Sequence, residues 1–241
     1  MRIAKGLIII GLCLIVASGM AFAGDKKLKA GFVYVGPVGD YGWSHAHDVG
    51  RKFAEKNLPW LETVYIESVA EADSARIIDR FIQGEKVDVV FTTSFGYMED
   101  TLRAGKKYPD KKFMHCSGFK QLPNVGTYFA DLYQTYYLNG LMAGAMTKTN
   151  KIGYVAAFPI PELIRHIDAF ALGIKATNPK AEVHVKWIYA WYGPDKAREA
   201  SEALIAEGCD TPVSYTHLRA HETLRSISYA VFCLKRGGGG G

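Results

Sequence analysis

Apolar residues along this chain come in short blocks that alternate between two spacings. Residues 29–35 (KAGFVYV) form a β-branched and aromatic run closed by Gly36, which predicts a buried strand. Residues 44–56 follow with helical spacing, and residues 64–66 predict a second strand. Residues 70–83 carry Ile77, Ile78, Phe81 and Ile82 on one side of a second helix. The run VDVVFTT at 87–93 is a third strand, residues 99–107 a third helix, and 113–116 and 125–129 two further strands. From there residues 132–147 predict a helix rich in Gly and Ala and suited to close packing. Strands at 152–156 and 183–188 then alternate with helices at 163–176 and 197–206.

Such alternation predicts an α/β fold with parallel sheets covered by helices on both faces. Two Rossmann-like lobes fit it better than one, with residues 24–129 as lobe 1 and residues 130–211 as a partial lobe 2. The second lobe holds only two full strand–helix pairs, so it is expected to be incomplete and poorly stable alone.

Both ends break this pattern. Arg2 and Lys5 precede an apolar stretch over residues 7–16, and Ala21-Phe22-Ala23 places small residues at a cleavage site. Residues 1–23 are therefore expected to be a secretory signal peptide, leaving a soluble extracytoplasmic (periplasmic) protein. The apolar stretch is short for a membrane span and is interrupted by glycine. A lipoprotein signal ending at Cys13 fits less well, because Leu12 stands where a small residue is needed.

The other end, residues 212–241, reads PVSYTHLRAHETLRSISYAVFCLKRGGGGG. It resembles a translated sequencing adapter. Residues 213–217 can be written GTC TCT TAT ACA CAT, a transposase end sequence used in library preparation, and most of the following codons continue an adapter in the same frame. On this reading the segment is non-native, the natural gene is cut near Asp210 or Thr211, and His217, His221, Ser214 and Cys233 belong to no site.

Charge changes the picture only through these ends. Of the formal net charge of +5, residues 1–23 contribute two positive charges and residues 212–241 a net three, which leaves residues 24–211 neutral. No basic face remains to argue for a nucleic-acid partner. With 49% hydrophobic and 12% aromatic residues the chain can bury a core. Between the two ends only Cys116 and Cys209 occur, too few for a disulfide framework.

In parallel sheets, function sits in loops at strand C-terminal ends. Four such loops carry aromatics: residues 36–44 with Trp43, residues 92–97 with Phe95, residues 156–161 with Phe158, and residues 189–194 with Trp191 and Tyr192. Their convergence predicts a cleft for a flat, apolar ligand held by stacking. The first loop is no phosphate cradle, since it has neither Gly-Lys-Ser/Thr nor Gly-x-Gly-x-x-Gly. Ser44 reads more readily as a helix N-cap than as a nucleophile. Ser44, His45, His47 and Asp48 hold the letters of a hydrolase triad but lie too close in sequence to converge as one. Two histidines two apart on a helix face different ways, so they make a poor metal pair. His115-Cys116 at a strand end reads as packing. No enzymatic activity and no cofactor are expected.

The segments GFVYVGPVGDYGWSHAHDVG, FTTSFGYMEDTL, YYLNGLMAGAMTKTNKIGYVAAFPIPELIRHIDAFALGIKATNP and WIYAWYGPDKAREASEALIAEGCD resemble the basic membrane protein (BMP) family. These are substrate-binding proteins of ABC importers, several of which bind purines or purine nucleosides. The resemblance, over residues 29–210, implies a periplasmic-binding-protein-like fold, a monomer that closes around a small-molecule ligand, and an ABC importer permease as partner. Carried over by residue, the family's first-loop aromatic falls on Trp43, its polar neighbour on Ser44, and its preceding acid on Asp40. The strand-three aromatic falls on Phe95 and the lobe-two aromatic on Trp191. The two tryptophans would then sandwich a purine base or nucleoside, with adenine favoured. A sugar or other small solute is the nearest rival. An exported hydrolase would need a nucleophile on a strained turn, and a sugar-responsive repressor a DNA-binding helix-turn-helix in place of the leader.

Overall fold

The computed structural model describes residues 27–40, 42–210 and 213–214. The expected leader at 1–23 and residues 215–241 of the expected adapter segment lie outside the described residues.

The first lobe runs β1 (Leu28–Val33), α1 (Trp43–Asn57), β2 (Leu61–Ile66), α2 (Ser74–Gln83), β3 (Val89–Thr92), α3 (Met98–Lys107), β4 (Lys112–Cys116) and β5 (Val125–Tyr128). Its strands form one parallel sheet in the order β2-β1-β3-β4-β5. The helical stripe of α2 explains the docking on one face: Ile77, Ile78, Phe81 and Ile82 are buried in a core with Val33, Val90 and Phe113. Phe81 lies so close to β1 that a Cβ on Gly31 would stand 2.8 Å from its ring. On the opposite face Ala30, Phe32 and Tyr34 form a second cluster with Leu61, Val89 and Phe91.

The second lobe runs α4 (Tyr133–Met146), β6 (Lys151–Ala156), α5 (Pro161–Thr177), β7 (Glu182–Trp187), α6 (Pro194–Ala206) and β8 (Val213–Ser214). Its parallel sheet has the order β7-β6-β8. Helices α4 and α5 touch backbone to backbone, since a Cβ on Gly140 would overlap the carbonyl of Phe170 and one on Gly173 the carbonyl of Tyr137. Tyr154, Leu163, Phe170 and Ile174 fill the core on that side of the sheet, while Val155, Ala197 and Leu204 pack under α6.

Three differences from the sequence reading have physical causes. Strand β2 starts at Leu61, because β1 pairs Leu28 with Leu61 and carries the ladder back past the apolar run. The helix expected from residue 70 begins at Ser74, because Glu71–Asp73 form a 3-10 turn whose Glu71 carbonyl accepts from the Ser74 hydroxyl at 2.9 Å. Within the segment assigned to an adapter, Val213 and Ser214 pair with Tyr154 and Val155, and Val213 is fully buried. That place beside β6 asks only for extended backbone and an apolar β-branched side chain, which valine supplies.

Candidate functional site

A cavity of about 180 Å³ opens between the lobes at the C-terminal ends of the strands. The first loop supplies Trp43 at the start of α1. The loop is pinned at its base, where the Gly36 N–H donates to Ser44 Oγ at 3.0 Å. The Trp43 indole N–H then donates to the Thr93 carbonyl at 2.6 Å, which ties the first loop to the second. The ring lines the cavity, with His47 and Phe129 at 4.8 and 6.2 Å between ring centroids.

The second loop contributes Thr93, Ser94 and Phe95. Thr93 Oγ1 donates to the Val33 carbonyl at 2.9 Å, and Ser94 Oγ donates to Glu71 Oε1 at 2.8 Å. The turn after β4 adds Ser117, held in the left-handed region with φ of 70°. From the second lobe come Leu132, just before α4, Tyr136 of α4, Glu162 in the first turn of α5, and Trp191. Two hydrogen bonds cross the cleft in opposite directions. Ser117 of lobe 1 donates to Glu162 of lobe 2, and Trp191 Nε1 of lobe 2 donates to Glu71 of lobe 1 at 2.9 Å.

Electrostatically the wall is acidic and short of activated groups. Burial, then the nearby Glu162 charge, pushes the Cys116 thiol up to about 12, so it stays protonated. Burial followed by Glu162 raises the Tyr136 hydroxyl too. Burial holds His166, stacked 4.5 Å from Tyr136, down at about 4. Among the described residues no group of three or more His, Cys, Asp or Glu could hold a metal. Asp48 pairs with Arg51 and Lys52, each at 2.7 Å. The arrangement can hold a small ring between apolar faces and accept hydrogen bonds from its edge.

Of the residues singled out in the sequence, Trp43, Phe95 and Trp191 line the cavity. Ser44 does not: it is fully buried and spent on the Gly36 amide, a loop clamp and not a side-chain cap of α1. Phe158 stands behind the wall, 5.0 Å from Trp191. Tyr192 is exposed and not part of the lining. Asp40 closes a 3-10 turn, and only its backbone is described. Sequence reasoning missed Ser117, Leu132, Tyr136 and Glu162 in the lining, and Glu71 behind it. For Glu162 the signal was present, as an acid directly after Pro161 at the head of a helix that follows a strand-end loop.

A family model described as ABC transporter substrate-binding protein PnrA-like matches residues 27–219. A candidate ABC transporter glucose-binding protein of Haloferax volcanii, TsgA13, is 46% identical over 185 residues, covering 77% of this chain and 47% of that protein. A purine-binding protein of Brucella abortus is 41% identical over 201 residues, 82% of this chain and 57% of its own length. The chain thus spans about half the length of these relatives. A solved ABC transporter solute-binding protein from Aeropyrum pernix shares the fold, with a TM-score of 0.71 at 18% identity over 79% of this chain and 55% of that one. No described helix is long and apolar enough to cross a membrane. The match over residues 27–219, on a fold that builds its cavity between two parallel-sheet lobes, places this chain in the Bmp family of PnrA-like ABC transporter substrate-binding proteins.

Proposed function

We propose that this protein captures a purine base or purine nucleoside, adenine foremost, for an ABC importer outside the cytoplasm. One observation carries the reading: Trp43 and Trp191, from opposite lobes, line one small cavity. Tryptophan faces bind flat rings with about 1–3 kcal/mol per stacked base. The hydroxyls of Ser94 and Ser117 and the Glu162 carboxylate offer acceptors for ring N–H or amino donors. The purine-binding relative at 41% identity supports the same ligand class. On this reading the protein is exported by its leader, acts as a monomer, delivers its ligand to a permease, and catalyses no reaction.

A sugar is the second reading, favoured by the 46% identical relative named for glucose. Sugars also stack on tryptophan, and their hydroxyls would donate to Glu162. Calorimetric titration of the purified protein with adenine, inosine, ribose and glucose separates the two. The purine reading requires adenine or inosine to bind and both sugars to fail; heat from the sugars alone would overturn it.

A further inference from the structure

The ring of Trp191 is steered from the other lobe. Its indole N–H donates to Glu71 Oε1, the oxygen that also accepts from Ser94 Oγ. Glu71 opens the 3-10 turn after β2, and the loop carrying Phe95 leaves a fitted space for its carboxylate. A Cβ on Gly96 would overlap that carboxylate. Behind Trp191, Phe158 packs at 5.0 Å with the two rings inclined by 52°. The indole is therefore fixed by an edge contact from lobe 1 and a backing ring from lobe 2, while it lines the cavity.

We propose that Glu71 is a cross-cleft positioning residue: by taking the indole N–H, it sets the tilt of Trp191 and completes the stacking wall only when the lobes come together. Glu71 does not line the cavity itself and acts through the ring. Ser94 holds the carboxylate at the right reach, and Gly96 makes room for it. Lobe closure and assembly of the ligand wall thereby become one event, since opening the cleft separates donor from acceptor. The proposal rests on Trp191 as a ligand-facing ring.

The test compares Glu71→Ala and Glu71→Gln in the purified protein labelled with ¹⁵N-tryptophan, using adenine as the probe. The Trp191 indole resonance is assigned by its loss in Trp191→Phe. The amide oxygen of Glu71→Gln still accepts, so this variant should bind adenine within about twofold of the parent and keep a hydrogen-bonded indole shift. Glu71→Ala should weaken adenine about tenfold, the order expected for losing a hydrogen bond to a charged group. It should also move the Trp191 resonance upfield while the Trp43 resonance and the melting temperature hold. An unmoved Trp191 resonance in Glu71→Ala overturns the proposal, as does an equal loss of binding in both variants. Should Glu71→Ala fail to fold, Glu71→Gln decides alone: lost binding or a lost hydrogen-bonded shift overturns the proposal. If the parent binds no adenine the ligand reading fails instead, and the resonance still tests Glu71.

Discussion

Ser117 of the first lobe donates its hydroxyl to Glu162 of the second, across the cleft and on the lining of the cavity. The acceptor sits in the first turn of α5, where the helix dipole favours a negative charge. A ligand entering the cavity meets that carboxylate on the lining.

Glu162→Ala is expected to weaken ligand binding by roughly 10- to 100-fold, the range for removing a hydrogen bond to a charged group. Glu162→Gln, which keeps an acceptor of the same length, should lose less. Calorimetry on the two variants checks this order, and equal affinities in both and in the parent would remove Glu162 from the site.

Trp43 should account for a comparable share. Trp43→Ala removes a whole stacking face and is expected to cost roughly 1–3 kcal/mol of affinity. The fold of lobe 1 should survive, because its core is built by α2 and the strands and not by this ring. Circular dichroism and ligand titration on one sample make the check: a folded variant with intact binding contradicts the stacking role.

Helix-to-helix contact in lobe 2 gives a stability prediction. Alanine at Gly140 places a methyl where the Phe170 carbonyl stands. Backbone has little room to yield, so Gly140→Ala should destabilise by about 1–3 kcal/mol. A melting temperature lowered by several degrees is the expected reading, and no shift would mean that α4 and α5 are not so closely packed.

Buried histidine sets a pH dependence. Burial holds His115 down at about 4, against an ordinary value near 6.5. Below pH 6.5 the unfolded chain takes up a proton that the folded one refuses, so stability should fall from pH 6.5 to about 4 and then level off. His166 works in the same direction. Urea midpoints between pH 7 and 4.5 measure the fall, worth roughly 2 kcal/mol per imidazole. His115→Gln should flatten part of it; an unchanged slope would rule His115 out as a source.

Much of this architecture was legible from spacing. Val89–Thr92 (VVFT) is a near-continuous apolar run because both faces of the sheet are covered, and the α2 stripe Ile77, Ile78, Phe81 and Ile82 fixes one of those covers. The four loops were legible because they follow strand ends. Which way an aromatic in a loop points was not. Trp191 and Tyr192 are neighbours of similar chemistry, yet one lines the cavity and the other faces solvent. Single polar residues were harder still, since Glu71 and Ser117 matter through contacts made in the other lobe, 120 and 45 residues away.

The tail has its own prediction. We propose that residues 212–241 derive from an adapter, so the source locus across the codon for Asp210 should leave PVSYTHLRAHET and continue into further strand–helix units. Its first codons should encode an apolar strand run, because the position of Val213 beside β6 is buried. A locus that encodes PVSYTHLRAHET would contradict this.

That two tryptophans hold a flat base between the lobes is tested by tryptophan emission during an adenine titration, followed by competition with inosine, ribose and glucose. Saturable quenching by adenine that is lost in both Trp43→Ala and Trp191→Ala, and is unmoved by either sugar, is the predicted result. Quenching by ribose or glucose with none by adenine, or adenine binding that survives in both variants, would contradict it.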